Sequence, residues 1–308
     1  MEFYHTPIML NEILEGLKIN PSGIYLDCTL GGAGHSEQIL KRLNSKGLLI
    51  GIDKDEEALS YSAERLKEFD NKLLVKSDFK FVKTVLEEHD IQALDGVLID
   101  LGVSSHQIDS AERGFSFNHD GKLDMRMDKS QKLSAYEVVN FYSEKELLNI
   151  LWHYGEENYA RSIVRKIVEA RKQKPIQTTF ELKNIIESAV PKKYLFSGAS
   201  KKTFQAIRIE VNDELNGLEE VLKYLITKLK PGGRMAVLSF HSLEDRIVKS
   251  VFKLEATDCI CPPDMPICTC GHKKSVNLIN KKPILASPLE QNKNPRATSA
   301  KLRIVEKI

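Results

Sequence analysis

The stretch Asp27-Cys28-Thr29-Leu30-Gly31-Gly32-Ala33-Gly34-His35 sets an acid, a run of glycines and an imidazole between an apolar segment and a helix-like one. Glycines accept positive φ and let a backbone approach a ligand closely. The helix expected after them begins with unpaired amide donors. Asp53 closes the next apolar run, Leu48 to Ile52. An acid there is placed to accept hydrogen bonds from both ribose hydroxyls of an adenosine. A glycine turn and a capping aspartate account for each piece alone. Loop, strand and acid together predict a nucleoside site. Ser77-Asp78-Phe79 ends a third run and offers adenine an acid or a ring. Asp100 ends a fourth, beside the expected reacting group; its plainer alternative is a turn cap.

The kind of nucleoside follows from charge. The loop does not match the G-x-G-x-x-G of dinucleotide folds, and Asp27 precedes its glycines. A pyrophosphate favours a helix N-terminus with no added negative charge. A sulfonium nucleoside carrying an ammonium group suits a nearby carboxylate. The pattern therefore favours S-adenosylmethionine, with an NAD-dependent oxidoreductase as the alternative.

These residues need strands and helices to hold them. Apolar runs at 23–30, 48–52, 73–75 and 97–101 alternate with helical spacing at 36–43, 55–69 and 79–89, the signature of a parallel sheet covered on both faces. From about Gln107 to Glu214 strand signals vanish, and helices are expected at 143–152, 156–172 and 179–190. A helix over 215–229, closed by Lys230-Pro231-Gly232-Gly233, a strand over 234–240 and a helix over 242–254 follow. The expected fold is α/β: a Rossmann-like class I methyltransferase sheet, formed by 1–107 and 213–308, with an inserted helical domain at 108–212. The insertion leaves at the carboxyl edge of the sheet, where ligands bind in such folds, and is well placed to cover a substrate.

Composition sets limits. The chain has 308 residues, 42% hydrophobic and 29% charged, with a formal net charge of +2. That charge is too small to argue for a polyanion, so basic groups must be clustered locally if one binds. No apolar run reaches the ~18 residues of a spanning helix, and the N-terminus lacks the charge-then-apolar pattern of a secretion signal. A cytoplasmic protein without membrane contact is expected. Oligomeric state is not readable.

Longer motifs carry a resemblance. Asp100 to Gln107, Arg113 to Phe117, Asp120 to Asp128, Phe204 to Asn212 and Ser239 to Arg246 form ordered blocks, with matching ends at Tyr4-His5-Thr6-Pro7-Ile8-Met9-Leu10 and Asn294 to Arg303. Together they resemble the bacterial 16S ribosomal RNA cytosine-N4 methyltransferase family (RsmH, or MraW). The resemblance implies methyl transfer from S-adenosyl-L-methionine to a cytidine N4 in the decoding region of small-subunit RNA. By motif, it implies cofactor contacts at Ala33, Gly34, His35, Asp53, Phe79, Asp100 and Gln107. A third class beside this one and the oxidoreductase is a ribosome-assembly factor that binds the nucleoside without turnover.

The chemistry then asks for a proton acceptor. The exocyclic amine of cytosine has its lone pair delocalised into the ring, and an acceptor for its N–H would localise that pair and later remove the proton. Asp100, or Ser104 or Ser105 beside it, is expected to do this, with His241 a second candidate whose alternative is a structural role. For RNA, Arg161, Arg165 and Lys172 project within ~40° of one another at helical pitch. Lys192, Lys193, Lys201 and Lys202 frame a glycine-containing loop with the aromatics Tyr194 and Phe196. A solvated charged face is the plainer reading of both. Finally, Cys259, Cys261, Cys268 and Cys270 stand together, with Pro262, Pro263 and Pro266 stiffening the loop between them. Four thiolates can hold a structural zinc. C-x-C pairs are tighter than the usual spacing, reduced surface thiols are the alternative, and the family does not require the cluster.

Overall fold

The computed structural model describes residues 7–262, 265 and 267–308, and at 195–197 the backbone alone. Tyr4, His5, Thr6, Pro263 and Pro266, and the side chains of Leu195 and Phe196, lie outside the described residues. Cα packing divides the chain into two units, Met1–Gly102 with Asn216–Ile308, and Val103–Leu215. The junctions fall at 102/103 and 215/216 rather than at 107/108 and 212/213.

The first unit is built on β1 (Ile24–Asp27), β2 (Leu48–Asp53), β3 (Lys72–Lys76), β4 (Leu94–Asp100), β5 (Leu229–Ser239), β6 (Val276–Leu278), β7 (Ile284–Leu285) and β8 (Lys301–Lys307). The order is β3-β2-β1-β4-β5-β8-β6, with β7 on β8. β1 to β5 are parallel, and β8 runs antiparallel between β5 and β6. An all-parallel dinucleotide sheet has no such strand. Successive strand residues feed opposite cores. Leu26, Ile50, Val97 and Val237 enter one; Tyr25, Leu49, Leu98 and Leu238 enter the other. Burial on both faces explains why these strands read as continuous apolar runs. Strand order reverses between β1 and β4, so their carboxyl ends, bearing Asp27 and Asp100, mark the crevice where such sheets take ligands.

Helices α1 (Leu10–Leu17), α2 (Gly34–Leu40), α3 (Glu56–Arg65) and α4 (Val82–Glu88) belong to the first half of this unit. The second unit holds α5 (Ser105–Asp109), α6 (Ala135–Phe141), α7 (Glu144–His153), α8 (Ala160–Gln173), α9 (Thr179–Ala189) and α10 (Ala199–Asn212) around its own core, including Val138, Leu151, Ile163, Ile186, Phe204 and Ile207. Helices α11 (Leu218–Lys228), α12 (Ser242–Glu255) and α13 (Pro288–Lys293) return to the first. Capping boxes start α6, α7 and α9, from Ser134/Glu137, Ser143/Glu146 and Thr178/Glu181.

Two expectations need correction, at the 156–172 helix and at the start of β5. The 156–172 helix begins only at Ala160, because Glu156 takes a left-handed φ of 47° and Glu157 Oε1 accepts from Tyr159 N. Lys201 and Lys202 flank the bend at Gly198 from the first turn of α10, and Lys192–Ser197 on its other side is a 3-10 turn. Helix α11 stops at Lys228, and β5 already starts at Leu229. Residues 230–233 bulge out between the Leu94–Leu229 and Gly96–Arg234 pairs.

Candidate active site

The glycine loop is fixed by its neighbours. Gly31 (φ 50°) donates its N–H to Asp53 Oδ2 at 2.7 Å, and its carbonyl accepts from Ser62 Oγ at 2.7 Å. Arg65 Nη1 donates to the Gly32 carbonyl at 2.8 Å. Ala33 caps α2 with a left-handed φ of 55°. A Cβ on Gly34 would stand 2.4 Å from Pro7 Cγ, so only glycine fits where the N-terminal segment crosses the helix start.

Acids gather around this loop. Asp27 accepts from Ser36 Oγ at 2.6 Å and Thr29 N at 3.1 Å; burial nevertheless pushes its carboxyl up to about 6. Asp53 also accepts from Asp55 N at 2.8 Å, and burial again raises it to about 6. Both Asp53 oxygens thus anchor backbone; each keeps a further lone pair for a ligand hydroxyl. Asp100 differs. Its N–H donates to Thr29 Oγ1 at 2.6 Å, yet its Oδ1 is buried with no hydrogen-bond partner. Burial first, then the charges of Asp27 and Glu244, hold its pKa well above the carboxylate range.

His35 stands beside it. Its Nε2 lies 3.0 Å from the Ile8 carbonyl, which can only accept, so Nε2 carries the proton. Nδ1 then presents its lone pair 3.6 Å from Asp100 Oδ2, too far for a hydrogen bond. The structure brings the loop, His35, Asp53 and Asp100 to one rim of the sheet.

The other expected residues are engaged locally. Phe79 opens a 3-10 turn capped by Asp78 and packs into the core, 9% exposed. His241 caps α12: its Nδ1 accepts from Glu244 N at 3.4 Å, and Glu244 Oε2 accepts from Phe240 N and His241 N. His241 Nε2 is 3.0 Å from Glu244 Oε1 without the alignment of a hydrogen bond. The local H-x-x-E spacing is the signal that could have revealed this cap. In the second unit, Gln107 and Ser104 form a reciprocal capping box, and Ser105 is the first residue of α5. Ser36, Ser62, Arg65 and Glu244 were missed, because their roles exist only once distant segments meet.

Motif residues of the second unit hold its irregular segment together. Arg113 donates to the carbonyls of Arg126 and Met127, and Asn212 bonds Met127 N and the Met125 carbonyl. On its surface, Trp152, Asn158, Tyr159, Arg161 and Ser162 line a hollow of about 330 Å³, with Arg161 5.4 Å over the Trp152 ring. Lys193 lies 5.0 Å over Tyr194, whose ring is 5.2 Å from that of Tyr159. Cys259, Cys261, Cys268 and Cys270 bring their sulfurs together beyond α12. No helix among the described residues is long and apolar enough to cross a membrane.

Known proteins match over the whole length. The chain is 51% identical over 311 residues to the Ribosomal RNA small subunit methyltransferase H of Clostridioides difficile (strain 630), covering all of both chains. It is 52% identical over 306 residues to the protein of the same name from Caldicellulosiruptor saccharolyticus, covering 99% of this chain and 100% of that one. The model of the MraW methylase family matches residues 2–308. With a match of this extent, the chain belongs to the MraW methylase family and is a methyltransferase.

Proposed function

We propose that this S-adenosylmethionine-dependent methyltransferase acts on the N4 amine of a cytidine in the decoding region of 16S ribosomal RNA. The observation that carries the reading is the half-buried Asp100 carboxyl, whose Oδ1 is buried and unpartnered, at the carboxyl end of β4. Relatives at about half identity are named for small-subunit ribosomal RNA. Membership in a methylase family leaves no ground for the NAD-dependent oxidoreductase or the non-catalytic assembly factor.

The rim fits a cationic nucleoside. Three acids with raised pKa values surround a glycine bend, and a positive charge placed there would favour their ionised forms. Ala33, Gly34 and His35 would hold the amino-acid end, Asp53 the ribose and Phe79 the adenine. When bound, S-adenosylmethionine supplies an activated methyl group on a good leaving group. The chain's own task is the acceptor. Asp100 accepts the amine N–H, localises the nitrogen lone pair and takes the proton, a role contributing about 10²–10⁴ in rate. Ser105 and His241 are the other groups proposed for proton handling. The target base must leave its stack. Arg161, Arg165, Lys192, Lys193, Lys201 and Lys202 grip phosphates, and Tyr194 offers a stacking face. The reaction belongs in the cytoplasm, with the assembling ribosome.

Incubation with methyl-labelled cofactor and small subunits lacking the modification, followed by nucleoside analysis, tests this. Label in N4-methylcytidine is expected. Label on a ring carbon, a ribose or another base overturns the N4 assignment, and no label overturns the substrate.

A further inference from the structure

We propose that Cys259, Cys261, Cys268 and Cys270 bind one zinc ion as a structural tetrathiolate site. The Sγ atoms of Cys259 and Cys268 are 3.4 Å apart, those of Cys259 and Cys270 3.8 Å, and those of Cys268 and Cys270 3.6 Å. The Cys261 sulfur lies within 4.8 Å of all three. Four thiolates at ~2.3 Å from a tetrahedral zinc stand about 3.8 Å from one another. A disulfide needs ~2.05 Å, far shorter than any of these separations. The cysteines therefore meet as one cluster at separations a tetrahedral ion spans, not as two disulfide pairs.

The surrounding backbone supports that reading. Thr269 N donates to Cys261 Sγ and His272 N to Cys270 Sγ, both at 3.4 Å. Amides aimed at sulfur orient thiolate ligands and disperse their charge. The segment joins α12 to β6 and forms no helix or strand among its described residues. Its large apolar side chains face solvent: Ile260 is 50% exposed, Met265 44% and Ile267 74%. A segment without apolar burial has little to offset the entropy of ordering it, and a metal cross-link supplies what a core would. His272 Nε2 donates to the Leu254 carbonyl at 3.0 Å, and Ser275 N to the Glu255 carbonyl at 2.8 Å, tying the loop to the end of α12.

The donor set selects the ion and its role. Soft thiolates favour zinc over magnesium or calcium. Four protein ligands fill the tetrahedron and leave no open position for water or substrate, so the site is structural. On binding, each thiol gives its proton to solvent and its sulfur lone pair to the metal. The site is independent of the methyl-transfer reading.

Elemental analysis of the full-length protein, purified under reducing conditions, is expected to find one zinc per chain. Exchange for cobalt(II) is expected to give the sulfur-to-metal charge-transfer and d–d bands of a tetrahedral tetrathiolate. Cys261→Ser and Cys268→Ser each should lower metal affinity by about tenfold or more. Should these variants fail to fold, the unmodified protein still decides. A thiol reagent should reach these four cysteines only after a strong chelator removes the metal, while buried Cys28 stays protected. Thiols that react at once in a protein taking up neither zinc nor cobalt overturn the proposal. So does iron in place of zinc, or a metal-free mass lower by two or four hydrogens, which marks disulfides.

Discussion

Along the carboxyl rim of the sheet, Asp27 and Asp53 are answered by backbone amides and a hydroxyl, and Asp100 keeps an oxygen with no partner. In the helical insert, Asp124 receives two bonds at 2.8 Å from the guanidinium of Arg126, and Glu214 two at 2.9 Å from that of Arg208. The titration behaviour follows. Burial raises the rim acids. Burial also acts on Asp124, but the Arg126 fork and amide outweigh it and hold the carboxyl below its usual value. The two insert acids are neutralised by a guanidinium where they stand. The rim acids meet no such cation among the described residues, and Asp100 keeps an unpartnered oxygen. That is the pattern expected where a cationic ligand is to bind.

The largest expected effect falls on Asp100. Asp100→Asn should lower single-turnover methylation by about 10²–10⁴ while raising the thermal midpoint of the unliganded protein. A lower midpoint would mean that Asp100 is a structural group, and the contrast between rim and insert would fail.

RNA binding sharpens the contrast from the insert's side. Neutralising Lys192, Lys193, Lys201 and Lys202 together should flatten the salt dependence of RNA binding, by up to ~0.7 in slope for each phosphate no longer neutralised. Quenching of Trp152, the chain's single tryptophan, would report whether RNA reaches the hollow beside Arg161. An unchanged slope would remove these lysines from the interface.

The pH dependence comes next. Asp27 and Asp53 have folded pKa values of about 6, above their unfolded values. The folded state therefore binds more protons than the unfolded state between about pH 4 and 6, and stability is lost as pH rises through that window. The unliganded midpoint should climb as pH is lowered from neutrality toward about 5, with Asp27→Asn and Asp53→Asn each removing part of the slope. Asp124 has the opposite sign: its contribution is present above the ordinary carboxylate pKa and is lost as pH falls through its depressed one. Scanning calorimetry across this range checks both, and a midpoint falling steadily from neutrality would break the comparison.

Within the insert, Asp124→Asn should destabilise by about 1.5–3 kcal/mol, the scale of hydrogen bonds to a charged group, measured by denaturant unfolding. No loss would show that the Arg126 fork is not structural.

How much of this was legible depends on whether local pattern or distant meeting sets the feature. Asp27, Asp53 and Asp100 could be read because each ends an apolar run long enough to be a buried strand. β8 escaped because Arg303 sits inside it, buried against Asp245 at 2.6 Å, and a buried arginine hides a strand's apolar signature. Helix α10 escaped because Gly198 and the paired lysines look like a loop, while Phe204, Ile207 and Val211 meet their partners only in the folded insert. The raised pKa of Asp100 was invisible for the same reason: beyond burial, it depends on the charges of Asp27 and Glu244 arriving from other elements.

The smallest effect tests whether strain, like charge, is kept at the rim. Ala33 holds a left-handed φ of 55° with its methyl fully buried. Ala33→Gly relieves roughly 1 kcal/mol or more of left-handed strain. It also loses about 0.8 kcal/mol of methyl burial and adds about 0.5–1 kcal/mol of unfolded-state entropy. These terms nearly cancel, so the unliganded midpoint should barely move. The methyl instead limits which way the amides of the bend can point, so cofactor affinity should weaken a few-fold, read by calorimetric titration. Unchanged affinity with a clear loss of stability would show that Ala33 serves packing, and would confine the rim's under-satisfaction to its charges.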